Sequence, residues 1–205
     1  MASFLFTSRL GLTGSADDMR RAINRSRLQK SINAPVLQFM RQNHGAEVAL
    51  VTEAIPDPDC DAMITTNPEI ALAVLTADCL PILVHAERMV SAIHVGRRGF
   101  LLGIVPKTLS MMREMGAREF TLSIGPSICG RCYEVSEDIY REAIETEPSS
   151  DAGFRHIDIL AGVKGQISNF STSIHSVNIC TLESSLHYSY RRGGEAERQT
   201  GVIRL

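Results

Sequence analysis

The sequence predicts an α/β fold in which helices pack on a mixed sheet. Residues 70–76 and 82–85 form continuous apolar runs, the pattern of strands that are buried on both faces. Other segments space their apolar residues as helices do, but strands and helices do not alternate strictly along the chain. The 205 residues fit a single domain, because domains average ~150 residues. We therefore expect residues 1–205 to fold as one unit.

The first half of the chain predicts one helix among several strands. Residues 3–10 predict a strand, and Ser15 with the acidic residues after it supplies N-cap chemistry for a helix that runs to about Ile32. Further strands are expected over 46–52, 61–65, 70–76, 82–85 and 90–95. Pro81 lies between two of these runs and indicates a bend.

Helices are more frequent in the second half. Residues 103–115 have inward-facing apolar residues at helical spacing, and Gly116 is a typical helix stop. We also expect helices over 136–146 and 157–170, and strands over 120–124 and 176–180. The turn-rich segment 147–153 is short enough to be a surface loop inside one domain.

Composition narrows the class of protein. Lys plus Arg number 21 against 23 Asp plus Glu, a net charge of −2, whereas proteins that bind nucleic acid usually have a basic excess. Five scattered cysteines do not form a disulfide scaffold and favour a reducing compartment. The apolar stretch 70–84 is shorter than the ~20 residues of a membrane span, and no signal peptide is recognisable. We expect a cytoplasmic protein without a nucleic-acid or membrane partner; protein partners are not indicated.

Three segments carry reactive side chains beside glycines at expected strand ends. They centre on His44, on the pair Asp78 and Cys79, and on His94, which precedes the glycine- and arginine-containing segment 96–99. Each has a plain structural alternative: a loop histidine, a buried cysteine beside an aspartate that anchors a loop, and a histidine that ends a strand. The amides and guanidinium groups of segment 96–99 are also typical of an anion site.

Two imidazoles and a thiol are a plausible ligand set for zinc. Catalytic zinc sites commonly use three protein ligands and leave a fourth position open. His44, Cys79 and His94 are far apart in sequence, so the fold alone can bring them together.

The Cys129-x-x-Cys132 pair has no evident partner. A zinc ribbon needs a second pair, but Cys60 and Cys180 stand alone in the sequence. A thioredoxin-like pair lies at a helix N-terminus, whereas here the expected helix starts later. We expect a loop that packs near the site rather than a redox centre.

Several motifs together resemble one family. They are QNHG at 42–45, TADCLPIL at 76–83, HVGRRG at 94–99, SIGPSI and CYEV between 123 and 135, and SYRR with RQTGVI between 189 and 203. In this order they resemble the laccase-like domain (multicopper polyphenol oxidase) proteins, which are also described as purine nucleoside phosphorylases and peptidoglycan editing factors. The resemblance extends from about residue 15 to the end.

The resemblance implies a site and an activity. By position, His44, Cys79 and His94 would bind one zinc ion in a mixed-sheet α/β sandwich related to bacterial toxin deamidases. The implied reactions are phosphorolysis of adenosine, inosine or methylthioadenosine, with nucleoside and phosphate as small-molecule partners, and deamination of adenosine. Arg97 stands where most relatives have tryptophan, and Glu197 where they have glycine; the first departure bears on substrate preference.

Further roles are assigned as hypotheses. Arg41 and Arg98 each lie near a ligand histidine and are candidates for binding phosphate, with Arg192 as a third. Asp78 would orient a ligand, transfer a proton or anchor a loop. Tyr133 is expected to line the pocket.

Three alternatives remain open. Cys79 activated by His94 would make a hydrolase, for example one that edits a cell-wall precursor. A copper oxidase fits less well, because its copper sites need more histidines than this set provides. A metal-stabilised partner domain without activity is the third.

Overall fold

The computed structural model describes residues 2–9 and 20–205, which form two mixed sheets packed face to face. The strands are β1 (Ser3–Phe6), β2 (Val36–Gln38), β3 (Val48–Leu50), β4 (Ala62–Thr65), β5 (Ile70–Thr76), β6 (Leu80–Ala86), β7 (Met89–Val95), β8 (Glu119–Ile124), β9 (Ser171–Ser176) and β10 (Gln199–Arg204). The helices are α1 (Ala22–Ser31), α2 (Arg97–Leu101), α3 (Ile104–Glu114), α4 (Glu137–Thr146), α5 (Ile159–Gln166) and α6 (Tyr190–Gly193).

Strand pairing makes both sheets mixed, as the sequence predicts. The first sheet has the order β1-β10-β5-β2 and the second β3-β4-β7-β6-β8-β9. The pairs β2–β5, β3–β4 and β8–β9 are parallel and the others antiparallel. Among the described helices, none is long and apolar enough to cross a membrane.

The central strands are buried on both faces. In β5, Leu72 and Val74 face the second sheet, whereas Ala71 and Ala73 pack with Leu28 of α1. β6 and β7 likewise send alternate residues to the first sheet and to the layer of α3 and α5. Burial on both faces explains why these strands are continuous apolar runs. The protein therefore has four layers in the order helix, sheet, sheet, helix.

Several predicted elements shift in position. The predicted strand over 46–52 shortens to β3, and the predicted helix over 157–170 becomes α5, whose N-cap Asp158 accepts from the N–H of Ala161. The strand predicted over 176–180 is wrong. The observed strand, β9, lies earlier in the chain and ends at Ser176; its residues alternate in exposure and pair in parallel with β8. The predicted helix start at Ser15 lies outside the described residues.

Two elements that border the site could not be predicted from the sequence. β10 lies between β1 and β5, where Gly201 leaves room for the ring of Phe6. Residues 97–101, expected to be a loop, form the short helix α2. It is held by Phe100, which is fully buried against Gly162 of α5.

Candidate functional site

The candidate site lies where the chain crosses from one sheet to the other. β5 ends at Thr76 in the first sheet and β6 begins at Leu80 in the second. Asp78, in this crossing, has a φ of 90°, a backbone conformation that non-glycine residues rarely adopt. Because Leu80 pairs with Val95, the antiparallel pairing of β6 and β7 brings Cys79 to the end of β7 where His94 lies.

His44 reaches the same point on a loop held by one carboxylate. The backbone N–H groups of Asn43, His44 and Gly45 donate to Asp61 over 3.2, 3.0 and 2.7 Å. Asp61 is fully buried directly before β4, which pairs with β7. The loop is therefore fastened to the strand that carries His94.

The three side chains form a compact donor cluster. The ligand atoms of His44, Cys79 and His94 all lie within 4.8 Å of one another. The two imidazole rings meet edge to face at 83°, with their centroids 4.8 Å apart. At Gly96 a Cβ would lie 2.7 Å from Cδ2 of His44 and 3.5 Å from Sγ of Cys79, so only glycine lets the chain approach this closely.

Asp61 also fixes the orientation of His94. Nδ1 of His94 lies 2.7 Å from Oδ1 of Asp61, which leaves Nε2 for a metal or a proton-transfer partner. Burial raises the pKa of Asp61, but the hydrogen bonds from His94 and from the loop amides outweigh it, and the net shift is downward. The carboxylate is thus ionised where it holds the ring.

Charge couples Cys79 to its two histidines. Burial alone would raise the pKa of the Cys79 thiol, but the charge of His94 and hydrogen bonds from His44 and His94 lower it to about 6. Burial would lower the pKa of His94, whereas the charge of Cys79 and the hydrogen bond with Asp61 raise it to about 9. The cluster therefore favours a thiolate, the form that binds metals and acts as a nucleophile.

A cavity of about 760 Å³ opens above this cluster. Its apolar lining includes Ile128, Ile159 and the rings of Tyr133 and Tyr190. Such a volume and mixed lining are typical of small-molecule sites. The prediction that Tyr133 lines the pocket agrees with this position.

Arginines supply the positive charge of the cavity. Of the three that the sequence singled out, Arg98 lines it. The guanidinium groups of Arg98 and Arg97 have no hydrogen bond or ion pair with the described residues. Arg41 instead makes a two-pronged ion pair with Asp59 outside the cavity. Arg97, which replaces the tryptophan of most relatives, also lines the cavity. So do three arginines that were not selected from the sequence: Arg20, Arg191 and Arg198.

Arg192 lies outside the cavity wall. Its guanidinium donates to the carbonyls of Thr181, Ser184 and His187 and to Glu195. These bonds secure the backbone behind the wall. The sequence could not separate it from Arg191, because the two are neighbours in the same motif.

Asp78 uses both carboxylate oxygens within the protein. Oδ1 accepts from the hydroxyl of Thr181 and Oδ2 from the N–H of Arg191, each over 2.7 Å. Its carbonyl accepts from the N–H of Ile128. Of the three roles considered for Asp78, this arrangement favours anchoring the loops that surround Cys79.

A second cluster corrects the expectation that Cys180 stands alone. Sγ of Cys180 accepts from the N–H of Cys129 over 3.4 Å, and Cys132 lies beside them. Glu183 completes a group whose ligand atoms all lie within 4.8 Å of one another. Cys60, by contrast, is buried between the sheets, and burial raises its pKa to about 11.

The cluster of His44, Cys79 and His94 fits a metal ion by its chemistry. Two imidazoles and a thiolate are donors that zinc accepts, and three protein donors leave one position open. The carboxylate on the outer nitrogen of His94 is the partner that metal-bound histidines usually have. The residues present therefore suit a catalytic metal site.

Comparisons with known proteins agree with this architecture. The chain matches the family described as multi-copper polyphenol oxidoreductase laccase over residues 6–205. A purine nucleoside phosphorylase of Streptomyces coelicolor is 36% identical over 212 residues, covering 96% of this chain and 88% of the relative. One of Corynebacterium glutamicum is 36% identical over 204 residues, covering 92% and 83%.

A solved structure gives the same result for the fold. A Neisseria meningitidis protein of the DUF152 family superposes with a TM-score of 0.83 and 26% identity, covering 100% of this chain and 94% of that one. The family resemblance drawn from the sequence motifs is confirmed. The chain belongs to the multi-copper polyphenol oxidoreductase laccase family.

Proposed function

We propose that residues 1–205 form a single zinc-dependent domain that cleaves purine nucleosides with phosphate. The observation that carries the proposal is the cluster of His44, Cys79 and His94 at an arginine-lined cavity. The relatives named purine nucleoside phosphorylase support the same reaction class. Adenosine, inosine and methylthioadenosine are the proposed substrates.

Residues that line the cavity would bind both substrates. Arg97 and Arg98, which have no ion pair within the described chain, would hold phosphate through charge-assisted hydrogen bonds. The rings of Tyr133 and Tyr190 offer faces for the purine. The guanidinium of Arg191 lies 4.9 Å from the ring centre of Tyr133. A purine bound against Tyr133 would therefore have a positive charge nearby, which stabilises the electrons that the purine gains as the glycosidic bond breaks.

Zinc is the proposed metal rather than copper. The family name refers to copper, and two histidines with a cysteine also occur at blue-copper sites. A site with several coppers needs more imidazoles, and among the described residues the cavity is lined by no histidine besides His44 and His94. Bound zinc would lower the pKa of a water toward about 7, the chemistry that deamination of adenosine at C6 needs.

Product analysis tests the proposal. Purified protein is incubated with adenosine, with and without phosphate, and the products are separated by chromatography. We expect phosphate-dependent adenine, together with some inosine, and loss of both in Cys79→Ala and His44→Ala. His175→Ala, an exposed histidine on β9, should keep the wild-type rate. No product from folded, zinc-loaded protein would contradict the proposal.

A second candidate is a cysteine hydrolase, for instance one that edits a peptidoglycan precursor. The observation in its favour is the chain of Cys79, His94 and Asp61, which has the order of nucleophile, base and orienting carboxylate. The expected likeness to toxin deamidases belongs to this candidate and stays a prediction.

Chelation and alkylation separate the two candidates. If the metal acts, a chelator abolishes turnover and added zinc restores it. If Cys79 is the nucleophile, metal-free protein keeps hydrolysing its substrate and loses this activity when an alkylating reagent modifies Cys79. Mass spectrometry after proteolysis identifies the modified cysteine.

A further inference from the structure

The second cysteine cluster lies outside the His44–Cys79–His94 site and has no part in the proposed reaction. It consists of Cys129, Cys132, Cys180 and Glu183. All three cysteines are free thiols and partly buried, whereas Glu183 is exposed. Two separate turns of the chain therefore present four metal-binding side chains to one point.

Local hydrogen bonds hold these side chains together. The N–H of Cys132 donates to the carbonyl of Cys129 over 3.0 Å, so the two cysteines are the ends of a tight turn. The N–H of Cys129 donates to Sγ of Cys180 over 3.4 Å, which joins the two turns directly. Sγ of Cys132 lies 3.6 Å from Oε1 of Glu183.

The cluster concentrates negative charge when its groups ionise. Three sulfur atoms and a carboxylate oxygen lie within 4.8 Å of one another, so their ionised forms would repel one another. Within the described chain, the basic side chain that pairs with the cluster is Arg131, 3.7 Å from Glu183 and 84% exposed. An exposed arginine offsets little of this repulsion, whereas a bound cation would remove it.

We propose that Cys129, Cys132, Cys180 and Glu183 bind a structural, thiophilic divalent cation of the Zn²⁺ class. Tetrahedral zinc at about 2.3 Å from each sulfur sets the sulfurs about 3.8 Å apart. Their ligand atoms already lie within 4.8 Å of one another, so small side-chain movements complete the site. The Cys-x-x-Cys spacing is one that zinc sites use, and four protein donors leave no open position, as in structural sites.

The cation would fasten the wall of the large cavity. Cys132 precedes Tyr133, which lines the cavity, and Cys180 precedes Thr181, which bonds Asp78 next to Cys79. Joining the two turns thus keeps both contacts in place. This inference does not depend on which reaction the cavity performs.

Metal content provides the first test. Protein purified with reductant is compared with the double variant Cys132→Ser, Cys180→Ser by elemental analysis. We expect the variant to lose one metal equivalent per chain, whatever the His44 site holds. Arg131→Ala, which leaves all four donors in place, should retain the wild-type content, and Glu183→Gln should bind the ion more weakly in chelator competition. Equal metal content in wild type and double variant, or unchanged affinity in Glu183→Gln, would overturn the assignment.

Cobalt and thiol counts give a test that does not require the double variant to fold. In Cys79→Ser loaded with Co²⁺, the thiolates of the second cluster are the expected source of sulfur-to-cobalt absorption in the near ultraviolet. Absence of that absorption contradicts the proposal. Thiol titration of denatured wild type without reductant should find the five cysteines of the chain free; a count of three would mean a disulfide and would also overturn it.

Discussion

Asp61 connects two parts of the candidate site, the loop of His44 and the strand of His94. Its carboxylate accepts from three loop amides around His44 and contacts Nδ1 of His94. Its carbonyl also accepts from the N–H of His94 over 2.7 Å. One buried carboxylate thus sets the position of two of the three proposed metal ligands.

We expect Asp61→Asn to weaken metal binding about 10- to 100-fold, as loss of a partner to a ligand histidine typically does. Asparagine keeps the size but turns one oxygen into a donor that faces donating amides. The resulting unsatisfied groups should cost roughly 1–3 kcal/mol of unfolding free energy. Chelator competition and urea unfolding measure the two effects.

Asp59→Asn is the matched control for this variant. Asp59 is exposed and pairs with Arg41 at the surface, where a pair contributes about 0–1 kcal/mol. Its metal affinity should equal that of the wild type. If both variants bind metal equally well, Asp61 does not position the ligands.

Gly96 is the second residue on which the cluster depends. In Gly96→Ala, the new methyl group would meet the ring of His44 at 2.7 Å, so the ring must leave the position that it holds in the cluster. We expect a clear loss of metal affinity, measured by competition, with little change in the circular dichroism spectrum. Gly193→Ala, where a Cβ has nothing within 4 Å, should bind metal as the wild type does.

The sequence allows prediction of the reactive residues but not of what positions them. His44, Cys79 and His94 are recognisable because each lies beside a glycine or a strand end. Asp61 looks like an ordinary residue before a strand, because its partners are amides 16 to 18 residues away. Cys180 likewise acquires significance only when the fold brings it to Cys129.

At the scale of elements, whether a helix or strand can be predicted from the sequence depends on what stabilises it. β5 and β7 are buried on both faces, so their apolar runs predict them well. α2 has five residues with a glycine inside it, too short and too weak in propensity to be predicted. It forms because Phe100 packs against Gly162, a contact that no local pattern reveals.

α2 also carries a prediction about phosphate. Arg98→Ala should raise KM for phosphate several-fold while leaving KM for the nucleoside nearly unchanged, because Arg98 lines the cavity without an ion pair within the described chain. Arg41→Ala removes an arginine that is bound to Asp59 outside the cavity and should leave both constants unchanged. Steady-state kinetics at varied phosphate and nucleoside concentrations measures both KM values. The opposite ranking of the two variants would favour Arg41 as the phosphate ligand.

At the scale of the molecule, the two ends of the chain meet in the first sheet. β10 pairs with both β1 and β5, so the β1–β10 pairing joins residues almost the whole chain apart. Arg9, just after β1, forms an ion pair with Glu195, just before β10. Glu195 also accepts from Arg192 and from the N–H of Ser189. The carboxylate of Glu195 therefore both links β1 to β10 and supports the cavity wall.

This carboxylate should make stability depend on pH. Burial alone would raise the pKa of Glu195, but hydrogen bonds from Arg9, Ser189 and Arg192 outweigh it and lower the pKa from 4.5 to about 2. Because the unfolded chain binds this proton more readily, the stabilisation is complete above pH 4.5 and is lost as the pH falls toward 2. In Glu195→Gln, the deficit in unfolding free energy should be largest at pH 7 and shrink steadily between pH 5 and 3.

Urea unfolding at a series of pH values measures this deficit against the wild type. Glu114→Gln, an exposed change on α3, corrects for the loss of one negative charge and should show no such trend. The arginines that face Glu195 stay charged throughout this range, so their own titration does not contribute to the trend. A deficit that is the same at pH 3 and pH 7 would mean that Glu195 contributes through packing, and that its charge does not hold the ends of the chain together.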